Sequence, residues 1–176
     1  MHARYSTPQI TLHWLSALLV LTIIALPYGS DFFAPFLGGE GGVFTLHKSL
    51  GLTVLLLTLL RVVVRARHGA PQLLPTDARF QQFAAKAGHA LLYLLLLAMP
   101  LTGLIFGKRP VNLFWLVEIG PLPLADGTRA LAKQFHVTAQ YLLFALILGH
   151  AGIALWHHYA RRDGVLHGML PVAKPR

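Results

Sequence analysis

The sequence predicts an all-α integral membrane protein, a four-helix transmembrane bundle with both termini on the cytoplasmic side. Three observations carry that prediction. Four stretches, 11–29, 43–64, 89–106 and 136–158, are apolar and long enough to cross a hydrocarbon core about 30 Å thick. Only 12% of the 176 residues are charged and the mean hydropathy is +0.59, whereas about 25% of a soluble domain is charged. The cations are also unevenly divided. Arg4, Arg61, Arg65, Arg67, Arg79, Lys86, Arg161, Arg162, Lys174 and Arg176 fall on the terminal side of the spans. Lys48, Lys108, Arg109, Arg129 and Lys133 fall on the other, with four of the six acids. The richer side faces the cytoplasm, and an even number of spans returns the chain to it.

The first span, TLHWLSALLVLTIIALPYG, has His13 near its start, and Pro27 and Gly29 loosen its far end. A cleaved signal peptide is the competing reading, but the run is long for one and no small-residue cleavage site stands out. SDFFAPFLGGEGG, with Asp31 and Glu40, reads as a loop. The second span, VFTLHKSLGLTVLLLTLLRVVV, has His47 near its start, with Lys48 and Arg61 placed to snorkel toward the interfaces. A polar stretch with Pro71 and Pro75 follows. The third span, HALLYLLLLAMPLTGLIF, opens on His89, and Pro100 and Gly103 predict a bend in it. In the long connection 107–135, NLFWLVEIGPLPL is apolar enough to lie in the interface, and ADGTRALAKQF reads as a short helix entering span four. No repeat, linker or low-complexity segment interrupts 1–176, so the chain reads as one transmembrane domain.

The fourth span organises the rest. It has no Asp, Glu, Lys or Arg, yet it holds His136, His150, His157 and His158. Fourteen residues separate His136 from His150, and at 100° per residue that leaves only about 40° of drift, so both project from one stripe. They stand roughly 21 Å apart along the axis, one near each side of the hydrocarbon. An intramembrane histidine is costly and is a functional candidate by default. With no cysteine in the chain, thiolate-ligated haem, covalently attached c-type haem, disulfides and chain-borne iron–sulfur clusters are excluded. A single zinc ion does not suit imidazoles four turns apart, because its ligands must lie within roughly 2 Å of one point.

The topology instead yields two cross-helix pairs, His47 with His136 at the outer level and His13 with His150 at the inner one. Paired neutral imidazoles on closely packed helices suit b-type haem. His89 and His157 remain at the cytoplasmic end. His158 points about 100° away from His157 and reads as surface, and His2, His68 and His167 lie in polar flanks. The net charge of +9 fits topology signals and anionic membrane lipid better than nucleic acid in so apolar a chain.

His13-Trp14 opening span one, His47 opening span two, GHALLYLLLLAMPLTG in span three and the H-x13-H-x6-HHY run of span four together resemble the bacterial dihaem cytochrome b561 family. The similarity covers nearly the whole chain and is nearest to the stand-alone superoxide oxidases. It implies a multi-pass protein of the bacterial cytoplasmic membrane with two haem b groups, held by His13 and His150 and by His47 and His136. It implies a superoxide:quinone oxidoreductase that oxidises periplasmic superoxide to dioxygen and reduces ubiquinone at positions matching His89 and His157. Lys108, Arg109 and Lys133, with Lys48 and Arg129, are candidates for steering superoxide to the outer face, although the four acids reduce that face to a net charge of +1. No long extramembrane extension is present, so no obligatory protein partner is expected. The alternative is a haem b subunit carrying electrons from a hydrogenase or dehydrogenase to quinone. A small transporter with protonatable histidines is a weaker third reading.

Overall fold

The computed structural model describes residues 4–75 and 78–171; His2, Lys174 and Arg176, which the sequence reading placed in flanks and tail, lie outside these. Four helices are long and apolar enough to cross a membrane: α1 (Thr7–Tyr28), α3 (Glu40–His68), α4 (Arg79–Phe106) and α5 (Asp126–Trp156). Each begins before the expected span, α4 and α5 by ten residues. His89 therefore lies roughly 15 Å inside α4 rather than at its start. ADGTRALAKQF is likewise continuous with α5.

Two expectations are corrected. SDFFAPFLGGEGG is not all loop: α2 (Ser30–Leu37) occupies most of it, ending at Gly38, whose φ of 78° suits glycine. The apolar NLFWLVEIG segment forms an antiparallel hairpin, β1 (Val111–Leu113) with β2 (Val117–Ile119), rather than merely lying in the interface. Its turn places Phe114 and Trp115 at φ of 49° and 59°, uncommon for bulky residues. A hydrogen bond holds the turn: Phe114 N–H donates to Ser49 Oγ of α3 at 2.9 Å.

The core lies mainly between α1 and α3, where Ser16, Val20, Leu26, Val43, Ser49, Val54 and Thr58 are buried. Small side chains let these helices approach closely. Ser16 and Ser49 return their hydroxyls to the carbonyls of Leu12 and Thr45. Elsewhere the long apolar side chains point outward, including Leu18, Leu56, Leu94 and Leu148 in mid-helix, which is the surface a bilayer covers.

α1 packs on α3, α3 on α4 and α4 on α5, but neither α1 nor α3 packs closely on α5. That leaves a gap down one side of the bundle. The other expected loop ends meet at a single end. Gln9 donates to Gly69 O at 2.7 Å, Trp14 Nε1 to Met169 O at 2.8 Å and Tyr5 N to Gly168 O at 3.1 Å. The start of α1, the end of α3 and the C-terminal segment are thus tied together.

Candidate functional site

The gap beside α5 is where the histidines meet. At one level His47 of α3 faces His136 of α5, with ring centroids 6.4 Å apart. At the other, His13 of α1 faces His150 of α5 at 5.9 Å. Two imidazoles binding one iron from opposite faces, at roughly 2 Å per metal–nitrogen bond, have centroids roughly 6 Å apart. Both pairs have that separation, and both bridge helices that do not otherwise close on each other.

The outer pair is also correctly turned. Pro27 has no N–H, so the carbonyl four residues back, Ile23 O, is left without its helical partner. His47 Nδ1 donates to that carbonyl at 3.0 Å. His136 Nδ1 donates to Met99 O at 2.9 Å, with Thr102 Oγ1 3.2 Å away. Backbone carbonyls thereby hold the protons on Nδ1 and free both Nε2 atoms, the arrangement that metal-binding histidines use. Gly103 makes room for it, since a Cβ there would lie 3.3 Å from His136 Cε1. Beside the pair is an apolar cleft of about 770 Å³, including its open mouth, lined by all four membrane helices. Gly51 in its wall has nothing within 4 Å of where a Cβ would stand. Lys48 lines the same cleft and is thus more than a snorkelling end residue.

The inner level holds three histidines. His89 of α4 reaches 5.4 Å from His150, and its Nδ1 donates to Ala85 O at 2.7 Å. His89 therefore joins His13 and His150, and no contact brings it to His157 among the described residues. Since α4 packs directly on α5 while α1 does not, the open side for a flat ring lies between His13 and His150.

Arg61 adds a feature that sequence reasoning missed. It was expected to snorkel, but its Nη2 stands 3.1 Å from His13 Nδ1 and its guanidinium lies over the Tyr93 ring at 5.3 Å. No acid pairs with it among the described residues. A guanidinium only donates, so this contact uses the His13 Nδ1 lone pair and leaves the ring proton on Nε2. Iron ligation through Nε2 requires the reverse, so Arg61 must then turn to another acceptor. The propionates of a haem are acceptors of the right charge.

At the end of α5 the helix widens into a π turn, His157–Arg161. His157 is 5% exposed and its Nδ1 is 2.6 Å from Asp163 Oδ2. His158, read from sequence as surface, is half-buried: its ring lies 5.0 Å from that of His167, and its buried Nδ1 has no hydrogen-bond partner among the described residues. Of the outer cations, Lys108 is paired with Asp126 at 2.8 Å. Arg109 and Lys133 are exposed. Arg129 donates to the carbonyls of Ile105, Gly107, Leu122 and Leu124, clamping the end of α4 to the loop before α5.

The prokaryotic cytochrome b561 family profile matches residues 4–172. The chain belongs to that family. It is 31% identical to cytochrome b561 homolog 1 of Escherichia coli, over 97% of this chain and 99% of the relative. It is 31% identical to cytochrome b561 homolog 2 of the same organism, over 95% and 91%. It is 29% identical to the probable superoxide oxidase CybB of Yersinia pestis, over 97% and 98%. Membership of the cytochrome b561 family makes the chain a b-type haem protein of the bacterial inner membrane that carries electrons across it. The donor set described above fits that cofactor: imidazoles in facing pairs, Nδ1 held by carbonyls at the outer level, and at the inner one an arginine that meets no acid among the described residues.

Proposed function

We propose that this chain is a superoxide:quinone oxidoreductase, oxidising superoxide to dioxygen at its outer face and reducing ubiquinone near its cytoplasmic end. The observation that carries it is the pair of histidine couples at two levels, with centroids 6.4 and 5.9 Å apart across one open gap. His47 with His136 and His13 with His150 hold two b haems, which when bound pass single electrons between the two faces. The relative named as a probable superoxide oxidase, aligned along 97% of this chain, supports the choice of donor.

Ile23 O and Met99 O fix the tautomers of the outer ligands. Arg61 neutralises a haem propionate at the inner level. Oxidation of superoxide releases no proton and needs none, so the outer face has only to admit a small anion. Arg109 and Lys133 favour its approach, while Asp126 offsets the charge of Lys108. Quinone reduction consumes two electrons and two protons, and takes place beside His89 and His157 with both termini cytoplasmic. The basic terminal side of the spans supports that orientation.

The test is stopped-flow addition of superoxide to the oxidised, haem-loaded protein, with and without a ubiquinone analogue. Haem reduction by superoxide, followed by reoxidation only when quinone is present, is expected. Haem that superoxide does not reduce removes the donor assignment and leaves a carrier subunit for a partner dehydrogenase or hydrogenase, which purification with a second polypeptide would reveal.

A further inference from the structure

We infer that Asp163 is a positioning residue for quinone reduction: it holds the Nδ1 proton of His157 so that Nε2 delivers a proton to a quinone oxygen. The inference rests on the proposed quinone site at the cytoplasmic end of α5.

The local chain path creates the pair. After the π turn His157–Arg161, Arg162 takes a left-handed conformation with φ of 52°. That reverses the chain, and Asp163 N–H donates to His157 O at 3.3 Å. Asp163 Oδ2 then lies 2.6 Å from His157 Nδ1, a short contact in keeping with an ionised acceptor, whose bonds are shorter than neutral ones. Asp163 Oδ1 accepts from Val165 N–H at 3.3 Å, and Arg161 Nε is 3.8 Å from Oδ2. The carboxylate is therefore aimed from both sides, and the segment that carries it is fastened to α1 through Trp14 and to the residues just before α1 through Tyr5. Single-turn π segments occur often at functional sites.

This is an unusual place for an acid. Asp163 is the one acid described on the basic terminal side of the bundle, and the side chain it meets is buried. An ionised carboxylate accepts only, so the shared proton sits on Nδ1 and Nε2 is the ring's working nitrogen. Among the described residues no group bonds to that Nε2. A carboxylate behind one imidazole nitrogen sets the tautomer and orientation of the other in proton-transfer catalysis.

The balance closes with the proposed reaction. Two superoxide ions become two dioxygen molecules and release two electrons; ubiquinone takes these and two protons to become ubiquinol. One of those protons leaves Nε2 of the doubly protonated His157 ring for a quinone oxygen as that oxygen gains charge, leaving the neutral Nδ1–H ring, and the other comes from water on the cytoplasmic side. Water on that side also restores the Nε2 proton after the product departs. The Nδ1 proton stays on its bond to Asp163 throughout.

The experiment compares Asp163→Asn, Asp163→Glu and His157→Gln in the full-length, haem-loaded protein. Readouts are haem content, kcat and KM with a soluble ubiquinone analogue, and the solvent deuterium isotope effect. Infrared difference spectra report the histidine tautomer independently of turnover. Asp163→Asn is expected to keep both haems, lower kcat by roughly tenfold or more with little change in KM, and raise the isotope effect. It should also shift the tautomer band, and Asp163→Glu should restore most of the rate. If His157→Gln is slow but Asp163→Asn matches the wild type, the inference fails while the quinone reading stands. If His157→Gln is itself unimpaired, the quinone reading fails first. Haem loss in Asp163→Asn, or a raised KM at constant kcat, makes Asp163 a structural clasp and overturns the proposal.

Discussion

His150 is the residue on which the inner level depends, because His13 and His89 approach it from different helices, at 5.9 and 5.4 Å. Replacing it with alanine removes an imidazole from the gap without touching His47 or His136. His150→Ala is expected to halve the haem content by pyridine haemochrome, and retention of both haems would contradict the pairing. Arg61 gives a second residue-scale prediction with a definite sign. A cation near a haem favours the reduced state, which carries one fewer positive charge, and an intramembrane charge is weakly screened. Arg61→Gln should therefore lower the midpoint potential of one haem and leave the other nearly unchanged in a redox titration. An equal shift in both haems, or none, would detach Arg61 from the inner site.

At the scale of the element, Pro27 in the last turn of α1 and His47, the proposed outer ligand, form a single device. Pro27 releases Ile23 O, and His47 takes it. Pro27→Ala restores an N–H at that position, which competes for the carbonyl and loosens the ring. Partners of this kind typically cost 10–100-fold in metal affinity when removed, so outer haem affinity should fall by about tenfold. Unchanged affinity in apo-protein reconstitution would show that the carbonyl contributes nothing.

This coupling was legible in principle, since counting back four residues from a proline in the last turn of a helix identifies the orphan carbonyl. The depth matching of His136 and His150 was legible too, because helical periodicity is local. Other features depend on contacts the sequence does not display. Whether His89 turns toward His150 or His157 depends on how α4 rotates against α5. Asp163 meets His157 only through the reversal at Arg162. The hairpin was hidden because NLFWLVEIG is as apolar as a membrane helix. Its anchor is a hydroxyl 65 positions away in sequence. Ser49→Ala should loosen that turn by about 1 kcal/mol, seen as faster proteolysis near Phe114; an unaltered cleavage pattern would assign the turn's stability to the hairpin alone.

At the scale of the whole molecule, the charge pattern bears on two proposed roles, setting topology and steering superoxide, and supports them unequally. The basic side is rich enough in Lys and Arg to set topology. The outer side has far less free charge than its cation count suggests. Lys108 is paired with Asp126, and Arg129 is committed to backbone carbonyls where α4 ends. Lys48, Arg109 and Lys133 remain there, set against Asp31, Glu40 and Glu118. Lys48 alone lines the cleft beside the outer histidines. Steering must therefore be local and modest, well below the 10–10³-fold seen where a cleft carries one sign of charge. Raising ionic strength from about 0.01 to 0.15 M shortens the screening length from roughly 30 to 8 Å. Over that range the rate of haem reduction by superoxide should fall by only about two- to threefold. Arg109→Gln with Lys133→Gln should remove most of that dependence while leaving the haem content and midpoint potentials unchanged. A flat salt profile in the wild type would withdraw both residues from the approach of superoxide. A tenfold fall would mean that Lys48, the one cation in the wall of the cleft, acts with far less compensation than the outer acids provide.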